Sequence, residues 1–589
     1  MTVRALELKP TYGSRLFSAL FSGLFYFAVF LVFLAPLLRL LAMSFTEEAG
    51  YSFSHYARLL AEGRTRSAIF NSVIIGVCST VFSVICGSVF AFLTAYANLK
   101  RKNLAEVLIL MPFIIPSYVI TLSWTGFLSE NSVANQWLSA AGIGPVNLYS
   151  MGGIIFVQGM CNIPIVYMIV KSMLRRIPVD LEWASMAAGF SRRQTVLRVN
   201  LALAAPAVAS GGVLSFLAAI DNFSVPAFLG ISSGVPVLST YIYEKAIGFG
   251  PSSFSDAAVL SVLLSVIAVA GILLEGIFTR RGKGLESVAE DPSVRIELPP
   301  KARAVTEWSL LCGLAAFNIV PLVFMFLSAV QKSYGLGYGE DNLTIENFRA
   351  LLTNAGVMRS IRNSLFLASL TCIVCIVAGT AAAYLKVRRN SRAVKLLERS
   401  ASITYAIPGI VLALAMIFHW VEPLPGIRPG IYGTMTILAV AYVTRYLILQ
   451  IKGSVNAMLT VEPALEEAAL AGGSGRTSLW LHILIPLLAR PVMASAFLIF
   501  IPAMTELTLS SILSAAGTKT IGLTVFNFQQ AGDYSLSSAM SAIIVLLILI
   551  AYGALFLYGI LSQRRKEKEN DRIESGTCVP QVWTDSGSR

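Results

Sequence analysis

Apolar positions gather into long runs separated by short polar segments along almost the whole chain. The runs lie near 16–45, 67–97, 104–128, 150–173, 199–231 and 255–279, then near 306–331, 361–386, 398–420, 431–456, 483–513 and 538–562. A helix needs about 20 apolar residues to cross roughly 30 Å of hydrocarbon, and in lipid each backbone N–H must bond within its own segment. The pattern therefore predicts an all-α polytopic membrane protein with about twelve transmembrane helices. Runs approaching 30 residues imply tilt, a break or an extension beyond the bilayer. The first run is too long for the apolar part of a signal peptide and has no convincing small-residue cleavage site, so it reads as a retained helix.

The polar segments give the orientation, because short loops rich in Lys and Arg stay on the cytoplasmic side. Lys100, Arg101 and Lys102, then Arg175, Arg176, Arg192, Arg193 and Arg198, then Lys386, Arg388, Arg389, Arg392 and Lys395 fall in alternate loops, with basic residues also flanking both ends of the chain. Loop 129–149 has no basic residue and 232–254 has only Lys245, whereas loop 46–66 dissents with Arg58, Arg64 and Arg66. The expectation is a multi-pass membrane protein with both termini cytoplasmic.

Self-similarity runs through the pattern. Asn71-Ser72 returns as Asn363-Ser364, Gly87 as Gly379, and Ile115-Pro116 as Ile407-Pro408, all offset by 292 residues. Further on, Glu182 returns as Glu466 and Gly189 as Gly473, offset by 284. Each half holds an even number of crossings and both later motifs fall on the basic side, so two parallel six-helix repeats are predicted rather than inverted ones. The expected organisation is a first unit at 1–280, a polar, proline-containing linker at 281–305, a second unit at 306–562 and a charged, disordered cytoplasmic tail at 563–589.

Composition narrows the chemistry. Of the 589 residues, 56% are hydrophobic and 13% charged, against roughly 25% charged in soluble domains. The net charge of +13 sits in loops beside apolar runs, where topology requires it, and gives no reason to invoke nucleic acid. Six of the seven cysteines lie inside apolar runs, and Cys372-x-x-Cys375 lacks partner ligands and reads as small core residues. With three histidines there is little material for a metal or hydrolytic centre, so no metal, cofactor or catalytic residue is expected. No Gly-x-x-x-x-Gly-Lys-Ser/Thr phosphate loop occurs; Gly517-Thr518-Lys519-Thr520 lacks the first glycine spacing. The chain is therefore not expected to bind ATP.

The repeated loop at about 176–198 and 458–482 begins with acids, Asp180 and Glu182 in one copy and Glu462 and Glu466 in the other, which complement a helix dipole. Gly189 and Gly473 then permit a sharp turn before a second short helix re-enters the membrane. A pair of interfacial connectors would explain one such loop; two copies in register call for more. Glu467-Ala468-Ala469, three residues, Gly473, nine residues, Ile483 and then Leu484-Ile485-Pro486 resembles the EAA loop of ATP-binding-cassette importer permeases. The resemblance covers nearly the whole chain. It implies the type I importer permease fold, with each loop a coupling helix seated in a groove on one of two ATPase subunits, and a periplasmic solute-binding protein delivering cargo. Glu182, Ala184 and Gly189, with Glu466, Glu467, Ala468, Ala469 and Gly473, would then be the ATPase-coupling residues. The first copy departs from the pattern at Trp183, Ser185 and Ala202, with Glu182 supplying the acid one position early; these departures imply a weaker first contact.

Ionisable groups inside spans are costly and mark pathways or partners. Asp221-Asn222 in the fifth run corresponds to Thr505-Glu506 in the eleventh; a translocation-pathway role and a helix-packing role both remain open for them. Arg445 in the tenth run is a further pathway candidate, able to pair with Glu506 or meet an anion, although a local structural salt bridge is favoured. Pro116 and Pro408 interrupt the helix ladder in mid-run and are candidate hinges. A fused two-unit chain of this kind is similar to the ferric-iron importer permeases and their relatives for thiamine, phosphonates and polyamines, which makes ferric iron the expected cargo and the other small solutes the alternatives. An ion-coupled secondary transporter would account for twelve spans but not for two EAA-like loops.

Overall fold

The computed structural model describes residues 22–553 apart from 48–49, 130–131, 143, 249, 251, 282–289, 292 and 337–338. The expected tail from 563 lies outside the described residues. By compactness the chain divides into a unit ending at Met540 and a second beginning at Ser541.

The first half runs through α1 (Ser22–Met43), α2 (Gly63–Tyr96), α3 (Lys102–Ile114), α4 (Ser117–Phe127), α5 (Met151–Arg176), α6 (Val179–Ala187), α7 (Arg192–Asp221), α8 (Ser224–Ser233), α9 (Leu238–Ile247) and α10 (Ser253–Arg281). The second repeats that order with α11 (Pro300–Ala329), α12 (Ala355–Val387), α13 (Arg392–Ala406), α14 (Gly409–Trp420), α15 (Met435–Leu459), α16 (Pro463–Ala471), α17 (Arg476–Met504), α18 (Thr508–Leu513), α19 (Ile521–Gln530) and α20 (Tyr534–Gly553). A two-residue antiparallel pair, Thr46–Glu47 with Gly50–Tyr51, is the one sheet among the described residues.

Among the described residues, ten helices are long and apolar enough to cross a membrane, and α3–α4 and α13–α14 each make a further span bent by 104° and 115°. That gives the expected twelve. A third bent pair, α8–α9 at 77°, follows the same break after α7 that α18–α19 follow after α17, and is a re-entrant element within each repeat.

The sequence of α2 explains its setting. Ser72, Gly76, Ser79, Ser83 and Gly87 make its buried face, while Val73, Val77, Val81, Ile85 and Val89 are exposed. Small residues let membrane helices approach closely and the branched apolar side chains face lipid, the reverse of a soluble helix. A Cβ on Gly87 would lie 2.9 Å from Val166 Cβ in α5, and one on Gly379 in α12 would lie 2.7 Å from Gln450 Cγ in α15. The two close approaches are repeat equivalents. The Asn-Ser pair also does one job twice. Ser72 Oγ accepts from Leu238 N (2.8 Å) and Asn71 Nδ2 donates to Pro236 O (2.9 Å); Ser364 Oγ accepts from Ile521 N (2.9 Å) and Asn363 Nδ2 donates to Lys519 O (3.0 Å). Both pairs pin the second re-entrant helix of their half.

The first span of each half packs on the other half. α1 lies against α14 and α13, and α11 lies against α4 and α3. Thr404 Oγ1 donates to Phe33 O (3.3 Å), and Asn318 Nδ2 donates to Leu108 O (3.3 Å). Two of the three dissenting arginines of loop 46–66 are structurally engaged, Arg58 with Asp256 and Arg64 with Glu244.

Candidate functional site

Tyr96 at the end of α2 bonds to Leu174 O near the end of α5, so the basic loops after both helices share one end of the bundle. There α6 leaves α5 after Pro178, and α16 leaves α15 before Pro463, each proline supplying a fixed φ at a helix start. Both helices end the same way. Gly189 (φ 92°) and Gly473 (φ 85°) are left-handed, Gly189 N donates to Met186 O and Phe190 N to Ser185 O, and Gly473 N donates to Leu470 O and Ser474 N to Ala469 O. This is a Schellman cap in each copy, and it satisfies the last carbonyls while turning the chain. The departures at Trp183 and Ser185 leave that cap intact; Ser185 Oγ instead lies 2.9 Å from Thr195 Oγ1.

Equivalent acids anchor the two helices. Glu182 and Glu466 are each 8% exposed. Glu466 Oε1 accepts from Arg388 Nε (2.7 Å), and Arg388 Nη2 donates to Val461 O (2.7 Å). Glu182 Oε1 accepts from Arg295, whose other terminal nitrogen donates to Ile177 O, the equivalent of Val461. Asn200 Nδ2 adds a bond of 2.5 Å to Glu182. A charge withdrawn from water this far needs such partners. Glu467, Ala184 and Ala468 are exposed and Ala469 is partly so. Around them Trp183 (60%), Leu465 (47%) and Leu470 (48%) face outward. Each loop thus offers a short apolar and acidic surface on a helix fixed from behind. Arg388 and Arg295 were not candidates from sequence, since one counted as loop charge and the other as linker.

The pathway candidates meet at a cavity of about 310 Å³ between the halves, lined by Pro116, Asn162, Asp221, Asn222, Arg445, Thr505 and Glu506 among others. Asp221 and Thr505 lie at the breaks after α7 and α17 rather than in mid-helix. Asn222 Oδ1 accepts from Val225 N (3.1 Å) and Glu506 Oε1 from Leu509 N (3.0 Å), so these equivalents cap the first re-entrant helices. Glu506 Oε2 also takes the Tyr446 hydroxyl. The ion pair of Arg445 is neither local nor with Glu506. Arg445 Nη2 lies 2.6 Å from Asp221 Oδ2, across the halves, and Asp221 Oδ1 accepts from Gly409 N (2.7 Å). The repeat equivalent of Arg445 is Cys161 and that of Asp221 is Thr505, so this charged clasp has no second copy. Pro408 sits at the 115° break whose next residue, Gly409, is held by Asp221; Pro116 occupies the 104° break. Asn162 donates to Ser215 O (3.2 Å). Among the described residues, no three His, Cys, Asp or Glu side chains converge to hold a metal ion.

A family model described as "Binding-protein-dependent transport system inner membrane component" matches residues 83–282 and again 375–567. A ferric transport system permease protein FbpB from Actinobacillus pleuropneumoniae is 24% identical over 558 residues, covering 92% of this chain and 78% of that protein. A sulfate transport system permease protein CysT from Escherichia coli is 25% identical over 248 residues, covering 42% of this chain and 85% of that protein. Among solved structures, a bacterial ABC transporter involved in the import of the acidic polysaccharide alginate aligns with 46% of this chain and 96% of that chain, at 19% identity and a TM-score of 0.38.

Proposed function

The chain belongs to the family of binding-protein-dependent transport system inner membrane components and is a multi-pass permease subunit of an ATP-binding-cassette importer; from that premise we propose how it is driven and what it carries. α6 and α16 each dock on one copy of a separate ATPase subunit on the cytoplasmic side, where both chain termini also lie. Glu467 and the exposed apolar side chains meet the ATPase, and Gly189 and Gly473 shape the turn that carries its motion into α7 and α17. The observation that carries this reading is the pair of Schellman-capped helices, each with a buried glutamate behind and an apolar, acidic surface in front.

Cargo reaches the outer face on a periplasmic solute-binding protein and passes through the cavity between the halves. Asp221, Asn222, Thr505, Glu506 and Arg445 line its route, and the breaks at Pro116 and Pro408 are the hinges. Ferric iron is the proposed cargo, because a ferric permease is among the relatives matched over most of the chain, at 92% of it, whereas the similarity to the sulfate permease covers 42%.

Two measurements test the reading. The chain is copurified with its ATPase, and Glu467→Ala with Gly473→Val is expected to abolish cargo-stimulated hydrolysis; retained docking with unchanged stimulation refutes the coupling role. Vesicles holding the complex and its binding protein are then given radiolabelled Fe(III), with thiamine, phosphonate, polyamine and sulfate as competitors. Iron uptake blocked by one of these solutes, or absent while another solute enters, refutes iron as cargo.

A further inference from the structure

The two docking helices are held by the same geometry but from different parts of the chain. Arg388, which clasps Glu466 and Val461 O, follows the end of α12 within the second half. Its repeat equivalent in the first half, 292 positions earlier, is Tyr96. A tyrosine cannot supply the forked, charged donor, and the place is filled from elsewhere. Arg295, from the connector between the halves, lies with its guanidinium 4.8 Å from the Tyr96 ring centre and donates to Glu182 and to Ile177 O. Its side chain is 1% exposed.

The described part of the connector is built into this site. Asp291 N donates to Arg175 O (2.7 Å), and Asp291 Oδ2 accepts from Val179 N (2.9 Å), the first residue of α6. Arg295 N and Ile296 N both donate to Tyr96 O (3.0 Å each), and Asn98 exchanges two hydrogen bonds with the backbone of Leu298. At Pro300 the chain enters α11, which packs on α3 and α4.

We propose that residues 290–291 and 293–298 are the strut of the first docking helix, with Arg295 the positioning residue that replaces the arginine missing at position 96. The first helix is thereby tied through the connector to the opening span of the second half, whereas the second helix is tied within its own half. The joint between the halves is then a working part of the coupling apparatus. The local anchoring stands on its own; its effect on transport rests on the proposed docking of α6 and α16.

Amide exchange on the purified full-length chain reads the anchoring without the ATPase. Arg295→Ala is expected to raise exchange in 179–187 by about tenfold, the scale for losing hydrogen bonds to a buried charge, and to leave 463–471 unchanged. Arg388→Ala is expected to do the reverse, and Arg295→Lys, which keeps the charge without the fork, to give an intermediate effect. Adding Tyr96→Arg to Arg295→Ala is expected to restore protection in 179–187. Unchanged protection in Arg295→Ala, or equal loss at both helices in each alanine variant, overturns the strut. In the complex with its ATPase, Arg295→Ala is expected to lower cargo moved per ATP, with recovery in the Tyr96→Arg double variant. Lost protection with unchanged stoichiometry leaves the anchoring in place and refutes its part in coupling.

Discussion

Asp221 takes Arg445 and the Gly409 amide from the opposite half, so removing the arginine strands a carboxylate at the edge of the cavity. Breaking a fully buried pair costs about 3–5 kcal/mol; with the Asp221 side chain 38% exposed, Arg445→Met is expected to destabilise the chain by about 1–3 kcal/mol. Asp221→Asn combined with Arg445→Met is expected to recover most of that loss, measured as the unfolding temperature in detergent. A second residue carries a pH signature. Burial pushes the Asp291 carboxyl up, but bonds from the backbone amides of Ser293 and Val179, with the Arg295 charge, outweigh it and hold the group below the usual aspartate range. A lowered acid stabilises the fold above its ordinary value, here 3.8, and that contribution is lost as pH falls through the lowered value. The unfolding-temperature gap between the native chain and Asp291→Asn is therefore expected to be full near neutrality and to close as the pH drops below that range.

Between residues and the whole stand the repeated helices, and their caps are equal where their sequences are not. Gly189 and Gly473 are left-handed to within a few degrees of each other, and a Cβ at either would meet nothing within 4 Å. The cost of a side chain there is thus conformational rather than steric crowding, about 1–2 kcal/mol per residue held left-handed. Gly189→Ala and Gly473→Ala are expected to loosen their own helices by similar amounts in amide exchange. A markedly larger effect at one site would point to a role beyond the cap. Much at this scale was legible beforehand. Matched Asn-Ser, Gly and Ile-Pro positions forecast the repeats because close approach, re-entrant pinning and helix breaks each demand a particular residue. What the pattern left open was how far the chain turns at Pro116 and Pro408, since proline removes a ladder bond without setting the angle that follows.

For the whole molecule, the decisive feature is the exchange of first spans. α1 packs mainly on the second half, though it also touches α10, and α11 packs on the first half, so each half by itself leaves helix faces and hydrogen-bonding groups without their mates. Residues 1–281 expressed alone are expected to be degraded in the membrane, and coexpression with 290–589 to restore a complex that survives detergent. Stable accumulation of the first half alone would show that the exchange is dispensable.

The sequence by itself determined the membrane setting, the helical class, the duplication and the two loops proposed to dock. Each depends on periodicity or on residue types that recur at a fixed spacing, and a long apolar run in lipid has few structural choices. Only the tertiary structure decided the partners. Arg445 is separated from Asp221 by 224 residues and Arg295 from Glu182 by 113, and no local rule links groups that far apart. The same limit hid the replacement of the arginine absent at position 96 by one from the connector, because equivalence in space, rather than in chain order, is what brings Arg295 and Arg388 to the same task.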